Sequence, residues 1–294
     1  MREEAVLFGH DGRLSGIVTD PPVGQELPDA PAIVIVHAGR IHRVGPNRIY
    51  VSLARSIAAL GFTVLRFDLS GIGESDVRRD NIPFHVAEIE DVVEAMDFLN
   101  TTRGASRFTL MGICSGASLS AMCALRDPRV SSAVAINAQG YPLTRVQRTR
   151  AHARKLRRYW WKVAIRHPAS IQRVVRDSFA PPELLSAEVA PGEAVSDLTP
   201  ADVLAELRER GVQLLIVYSE SDPGLDYMQV MAGRELRTSR AQGAASLEVV
   251  PAADHTFTLL ASQRRLTDTV GRWLAHTYGD ARVQDDAAAA TSTR

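Results

Sequence analysis

The stretch Gly112-Ile113-Cys114-Ser115-Gly116 follows an apolar run, Phe108 to Met111, and precedes a helix of small residues, Ala117 to Leu125. This order reads as a strand turning sharply into a helix with a cysteine at the bend. Residues two before and two after a nucleophile on such an elbow must be nearly free of side chain, and Gly112 and Gly116 meet that demand only for a centre at position 114. Centring the motif on Ser115 puts Ile113 and Ala117 at the flanks. Cys114 is therefore the expected nucleophile, and Ser115 is expected to lend its backbone N–H to an oxyanion. The competing reading is a buried cysteine in an ordinary strand-turn-helix junction.

A cysteine nucleophile needs a base to take its proton and a group to orient that base. Strand Gln213 to Tyr218 runs into Ser219-Glu220-Ser221-Asp222-Pro223-Gly224, which puts Asp222 just beyond a strand's C-terminal end. Strand Ser246 to Val250 runs into Pro251-Ala252-Ala253-Asp254-His255, which puts His255 on the next such loop. Reactive groups in open α/β sheets gather at that edge, so Cys114, Asp222 and His255 are expected on one rim. Asp222 before Pro-Gly reads equally as a turn former, and Glu220 and Asp226 are rival acids. Of the other histidines only His37 and His42 compete, and both precede the nucleophile. The loop from His37 to Asn47 is expected to supply the second oxyanion donor, the N–H of Gly39, within one residue. Asp68-Leu69-Ser70-Gly71-Ile72-Gly73-Glu74-Ser75 lacks the features of a dinucleotide site and reads as a structural turn.

The elements that must hold these residues alternate. Ala5 to Phe8 and Leu14 to Thr19 flank a hairpin signal at His10-Asp11-Gly12, and a continuous apolar strand, Ala32 to Val36, suits burial on both faces of a parallel sheet. Helix Tyr50 to Leu60, strand Thr63 to Phe67, helix His85 to Leu99, strand Phe108 to Met111, helix Ala117 to Leu125 and strand Ser132 to Ile136 follow. A doubly wound α/β sheet is the architecture implied, with residues 1–140 as the first part of its core. From 141 to 199 no strand-like run occurs. That segment reads as an inserted helical cap, strongly basic, with Arg145, Arg148, Arg150, Arg154, Lys155, Arg157, Arg158, Lys162, Arg166, Arg173 and Arg176 and no acid before Asp177. The rhythm returns over 200–278 with helix Pro200 to Arg210, strand Gln213 to Tyr218, helix Asp226 to Leu236, strand Ser246 to Val250 and helix Ser262 to Tyr278. Residues 279–294 read as a disordered tail.

Over 294 residues the 34 basic and 34 acidic side chains cancel, so no global field draws the chain to nucleic acid or membrane. No signal-like or spanning apolar stretch is present, which leads to the expectation of a cytoplasmic location. Of the two cysteines, Cys123 reads as core filler and no bridge to Cys114 is expected. No His/Cys/Asp/Glu cluster has ligand spacing, so neither metal nor cofactor is expected.

Taken together, the His37-Ala38-Gly39 segment, Asp68-xx-Gly71-x-Gly73-x-Ser75, the GICSG elbow, Asp222 and His255 resemble an α/β-hydrolase of the serine-aminopeptidase-like type over roughly residues 6–278. That resemblance implies an α/β-hydrolase fold, a mostly parallel central sheet with an inserted helical lid. Cysteine in place of serine is the departure. Arg43-Val44-Gly45-Pro46-Asn47-Arg48-Ile49-Tyr50 with Phe62 to Ser75 is similar to hydrolases associated with exosortase and exopolysaccharide loci. A Cys-Asp-His set with a basic cap also resembles the Dieckmann cyclases that release tetramates from polyketide and peptide assembly lines. Dienelactone hydrolases share GxCxG but lack such a cap.

Sulfur narrows the chemistry. Thiolate attack on a thioester exchanges one thioester for another and is nearly thermoneutral, whereas attack on an ester or amide is uphill. The acyl-cysteine keeps an acidic α-carbon and a good leaving group, which suits attack by an internal carbon with His255 as base, or by water. The expected function is therefore acyl transfer from a thioester, most readily Dieckmann-type cyclisation in polyketide and peptide biosynthesis. Thioester or ester hydrolysis and a non-catalytic binding module are the alternatives. An acidic acyl or peptidyl carrier protein bearing a phosphopantetheine thioester is the expected partner. Arg157 and Arg158 are candidates for docking it, and Trp160 and Trp161 for lining the pocket.

Overall fold

The computed structural model describes residues 1–37, 39, 41–138 and 198–279. The expected cap therefore lies outside the described residues except for 198 and 199, as do Arg157, Arg158, Trp160 and Trp161, and all of the expected tail beyond residue 279.

Eight strands form one sheet: β1 Arg2–Phe8, β2 Leu14–Asp20, β3 Ala32–Val36, β4 Val64–Phe67, β5 Phe108–Ile113, β6 Val130–Ile136, β7 Gln213–Ser219 and β8 Ala245–Val250. Their spatial order is β1-β2-β4-β3-β5-β6-β7-β8. The pairs β1–β2 and β2–β4 are antiparallel. Every other neighbouring pair is parallel. Helices α1 Ile49–Ala58, α2 Phe84–Arg103, α3 Ser115–Ala124, α4 Pro200–Glu209, α5 Pro223–Ala241 and α6 Leu260–Tyr278, with short 3-10 turns at His10–Gly12 and Pro46–Arg48, complete the described elements.

The continuous apolar runs are explained by two cores. In β3, Ala32, Val34 and Val36 point into one core with α2, α3, α4 and α5, while Ile33 and Ile35 point into the other with α1 and α6. β7 divides likewise, Leu214 and Ile216 to the first core and Leu215 and Val217 to the second. A strand buried on both faces has no reason to alternate polar with apolar.

Two boundaries differ from the sequence reading in ways that bear on the site. β5 runs on to Ile113 and α3 starts at Ser115, so Cys114 alone connects strand to helix. α5 starts at Pro223 rather than Asp226, because Asp222 is its N-cap.

Candidate active site

Cys114 sits at φ 58°, ψ −119°. This is the backbone of the first corner of a type II′ turn, territory of Gly, Asn and Asp. A cysteine held there is strained by about 1–3 kcal/mol, and such strain concentrates at functional sites. Its N–H is tied to Ile136 O at 2.9 Å, and its carbonyl accepts from Ala117 N at 3.2 Å. The bend brings strand and helix so close that a Cβ on Gly112 would stand 2.3 Å from the Gly116 carbonyl carbon, and one on Gly116 would stand 2.5 Å from Val36 O. Both glycines are thus steric necessities. The sulfur is half-buried, while Cys123 further along α3 is buried.

Asp222, with only 5% of its surface exposed, divides its two oxygens between two tasks. Oδ1 accepts the Gly224 N–H at 2.7 Å and caps α5. Oδ2 bonds His255 Nδ1. Turn former and orienting acid are therefore one residue. The rival Glu220 is spent on the Ala252 N–H at 2.9 Å, and Asp226 lies in the first turn of α5. The Cys114 side chain lies near enough to the His255 ring to favour its protonated form, so the three expected residues are neighbours.

The electrostatics follow from this placement. The Asp222 hydrogen bond chiefly, and then the neighbouring Cys114 side chain, raise the His255 pKa to about 10 against the opposing effect of burial. An unfolded histidine titrates near ~6.5. Between those values the folded chain holds a proton that the unfolded chain lacks, so this stabilisation is complete below the unfolded value and is lost as pH rises through about 10. The ring is 34% exposed, and solvent screening reduces the effect. The melting temperature of the native chain should fall more steeply from pH 6.5 to 10 than that of Asp222→Asn, which lacks the leading cause. Parallel curves would refute the coupling.

One of the two expected oxyanion donors is engaged in this structure. The structure does bring Gly39 and Ser115 together, but the Gly39 N–H donates to Ser115 Oγ at 2.7 Å rather than standing free. An oxyanion can use that N–H only once the exposed Ser115 hydroxyl turns away. His37 is buried, and its Nε2 accepts the Leu69 N–H at 3.1 Å. Burial pushes its pKa down, which suits a neutral structural ring. His42 is exposed. Asp68, fully buried, accepts from Arg43 N at 2.5 Å, from the Arg43 guanidinium and from Glu74 N at 3.0 Å, so its turn anchors the loop that carries Gly39.

Sequence reasoning missed Asn137. This buried residue directly follows β6, at φ 46°. Its Oδ1 accepts the Ser219 N–H at 2.7 Å and its Nδ2 donates to His255 O at 2.8 Å. One amide thus clamps the acid strand to the histidine loop. Ser221 Oγ adds a bond to Ala253 O at 3.0 Å. The only available signal was an asparagine directly after a strand, a residue that tolerates left-handed backbone.

A model of the alpha/beta hydrolase family matches residues 33–269. The chain belongs to this family. Esterase EstD of Thermotoga maritima is 22% identical over 263 residues, which are 88% of this chain and 61% of that protein. An uncharacterised Escherichia coli protein, YcjY, is 29% identical over 127 residues, 42% of this chain and 40% of that one. The chain thus spans less than two thirds of either relative. Among solved structures, a proline iminopeptidase of Mycobacterium smegmatis superposes with a TM-score of 0.58 at 18% identity, covering 94% of this chain and 98% of that one. A thermophilic esterase from Thermogutta terrifontis superposes with a TM-score of 0.55 at 16% identity, covering 95% and 100%. These likenesses speak to the fold. Among the described residues no group of three potential ligands could hold a metal ion, and no helix is long and apolar enough to cross a membrane.

Proposed function

We propose that this α/β-hydrolase is a cysteine-dependent acyl-transfer enzyme in which Cys114 attacks a thioester, His255 moves the proton and Asp222 orients His255. One observation carries the reading: the His255 ring is bonded to the Asp222 carboxylate and lies near the Cys114 sulfur, which sits at a strained bend. Attack forms an S–C bond to Cys114 and breaks the bond to the departing thiol, which takes its proton from His255. Acylation also removes the sulfur's share in holding that proton, so the ring is left readier to act as base. Water then attacks the acyl-cysteine, gives a proton to His255 and releases a carboxylic acid as Cys114 departs. The esterase relative supports this hydrolytic course.

The finer reading is Dieckmann-type cyclisation. A carbon flanked by two carbonyls on the acyl chain loses its proton to His255 and replaces water as the attacking group, closing a tetramate ring as the C–S bond breaks. Sulfur in place of the serine usual in this fold favours it, since a thiolate leaves the acyl carbon readily when the ring carbon attacks. The basic run between 145 and 176, Arg157 and Arg158 included, suits docking of an acidic carrier protein, with Trp160 and Trp161 as pocket candidates.

Intact-protein mass spectrometry with a synthetic β-ketoacyl-aminoacyl thioester tests both readings. An acyl adduct that vanishes in Cys114→Ala is expected. A cyclised product with no gain of water selects cyclisation, and a free acid selects hydrolysis. Neither adduct nor product, together with slow alkylation of Cys114 by iodoacetamide, overturns the enzymatic reading in favour of a binding module. Cys123 provides the internal control, because burial pushes its thiol up to about 12.

A further inference from the structure

The hydroxyl of Ser115 stands where an oxyanion is expected, and packing imposes its position. A Cβ on Gly116 would lie 2.5 Å from Val36 O and 2.7 Å from His37 O, so the first turn of α3 is pressed against the end of β3 and the start of the loop that carries Gly39. The fully buried Tyr50 ties two strand ends to each other: its hydroxyl donates to Val36 O at 3.4 Å and accepts the Ile113 N–H at 3.3 Å. At its far end the loop is held by Asp68 through the Arg43 N–H and guanidinium. Between these anchors Ser115 Oγ accepts the Gly39 N–H at 2.7 Å. A serine hydroxyl has a proton to give as well as lone pairs to accept with. Only a lone pair is used here, since among the described residues the hydroxyl makes no other hydrogen bond and does not cap α3. The residue is exposed, which leaves the side chain room to rotate.

Resting on the reading of Cys114 as the acylated residue, we infer that the Ser115 side chain is a further catalytic residue, an oxyanion donor recruited by the substrate's own carbonyl oxygen. The entering oxygen takes over the Gly39 N–H from Ser115 Oγ, and the displaced hydroxyl turns its proton onto that oxygen. No proton changes owner: the O–H bond of Ser115 stays intact while negative charge builds on the neighbouring atom. The exchange favours the transition state over the bound substrate. Ser115 gives up a neutral N–H···O bond for one to a charged oxygen, and charge-assisted bonds are roughly twice as strong as neutral ones. That gain lasts only as long as the charge, so it acts on kcat rather than on KM.

The test compares the native chain with Ser115→Ala and Ser115→Thr on the synthetic β-ketoacyl-aminoacyl thioester, alongside alkylation of Cys114 by iodoacetamide. Removing one buried oxyanion donor costs about 10²–10³ in kcat, and an exposed hydroxyl should fall below that, so Ser115→Ala should lose about 10- to 100-fold. KM should stay within about twofold of native. Ser115→Thr keeps the hydroxyl and should restore kcat to within about threefold. Iodoacetamide is displaced at a tetrahedral carbon where no oxyanion forms, so all three chains should be alkylated at the same rate. An unchanged kcat in Ser115→Ala overturns the assignment, and a raised one means that the hydroxyl only obstructs the Gly39 N–H. A loss that threonine does not repair, or one matched by slower alkylation, also overturns it, because the defect then lies in the elbow or the sulfur. A native chain that forms no Cys114 adduct with the thioester overturns instead the reading beneath it.

Discussion

Cys114→Ala should lower turnover of a good thioester substrate by about four to six orders of magnitude, the range found when a covalent nucleophile is removed from an enzyme of this kind. The fold should survive it. Alanine keeps the Cβ, and with it the strain at φ 58°, ψ −119°, and the lost sulfur is only half-buried. Cys114→Gly separates the two roles of the position. Glycine occupies this backbone freely, so relief of ~1–3 kcal/mol of strain outweighs the ~0.5–1 kcal/mol that glycine's own entropy costs. The glycine variant should therefore be as inactive as the alanine variant yet melt at a higher temperature. Kinetics and calorimetry on the pair decide the matter. Equal melting points would mean the bend is not strained, and residual turnover within tenfold of native would remove Cys114 from the chemistry.

The second large effect concerns Asp222, where substitution can part the two oxygens. In Asp222→Asn the amide oxygen still accepts the Gly224 N–H and caps α5. The amide nitrogen then faces His255 Nδ1, where Oδ2 now accepts, and forces the ring proton onto the nitrogen that must stay free to take one. The wrong tautomer has cost about 10⁴ in kcat in a serine hydrolase with the same orienting arrangement, and a loss of that order is expected here. Asp222→Ala should be similarly inactive and lose the cap besides, about 0.5–2 kcal/mol, so it should melt a few degrees below the asparagine variant. Glu220→Gln is the control, because among the described residues its carboxylate accepts only the Ala252 N–H. A collapse of activity in Glu220→Gln with Asp222→Asn spared would transfer the acid's role to Glu220.

Much of this arrangement could be read from the chain because it is local. Gly112 and Gly116 announce the elbow, since no other residue fits where strand and helix backbones nearly touch. The apolar runs of β3 and β7 announce a doubly covered sheet. What sequence reading lost depends on contacts between distant segments. Asn137 is unremarkable in its own neighbourhood and acquires meaning only when Ser219 and His255, 82 and 118 positions away, fold against it. The Ser115 hydroxyl on the Gly39 N–H spans 76 positions in the same manner. The early starts of α3 and α5 have a different origin. Cys114 and Asp222 act as caps, so each helix begins one residue later, ahead of any periodic apolar signal.

The separation of the two sulfurs carries a liability under peroxide. Nine residues of α3, roughly 13 Å at 1.5 Å per residue, part Cys123 from Cys114, well beyond the span a disulfide can bridge. A sulfenic acid formed on Cys114 has no second thiol in this chain to resolve it. Recovery then depends on a small external thiol reaching the bend before further oxygen renders the damage permanent.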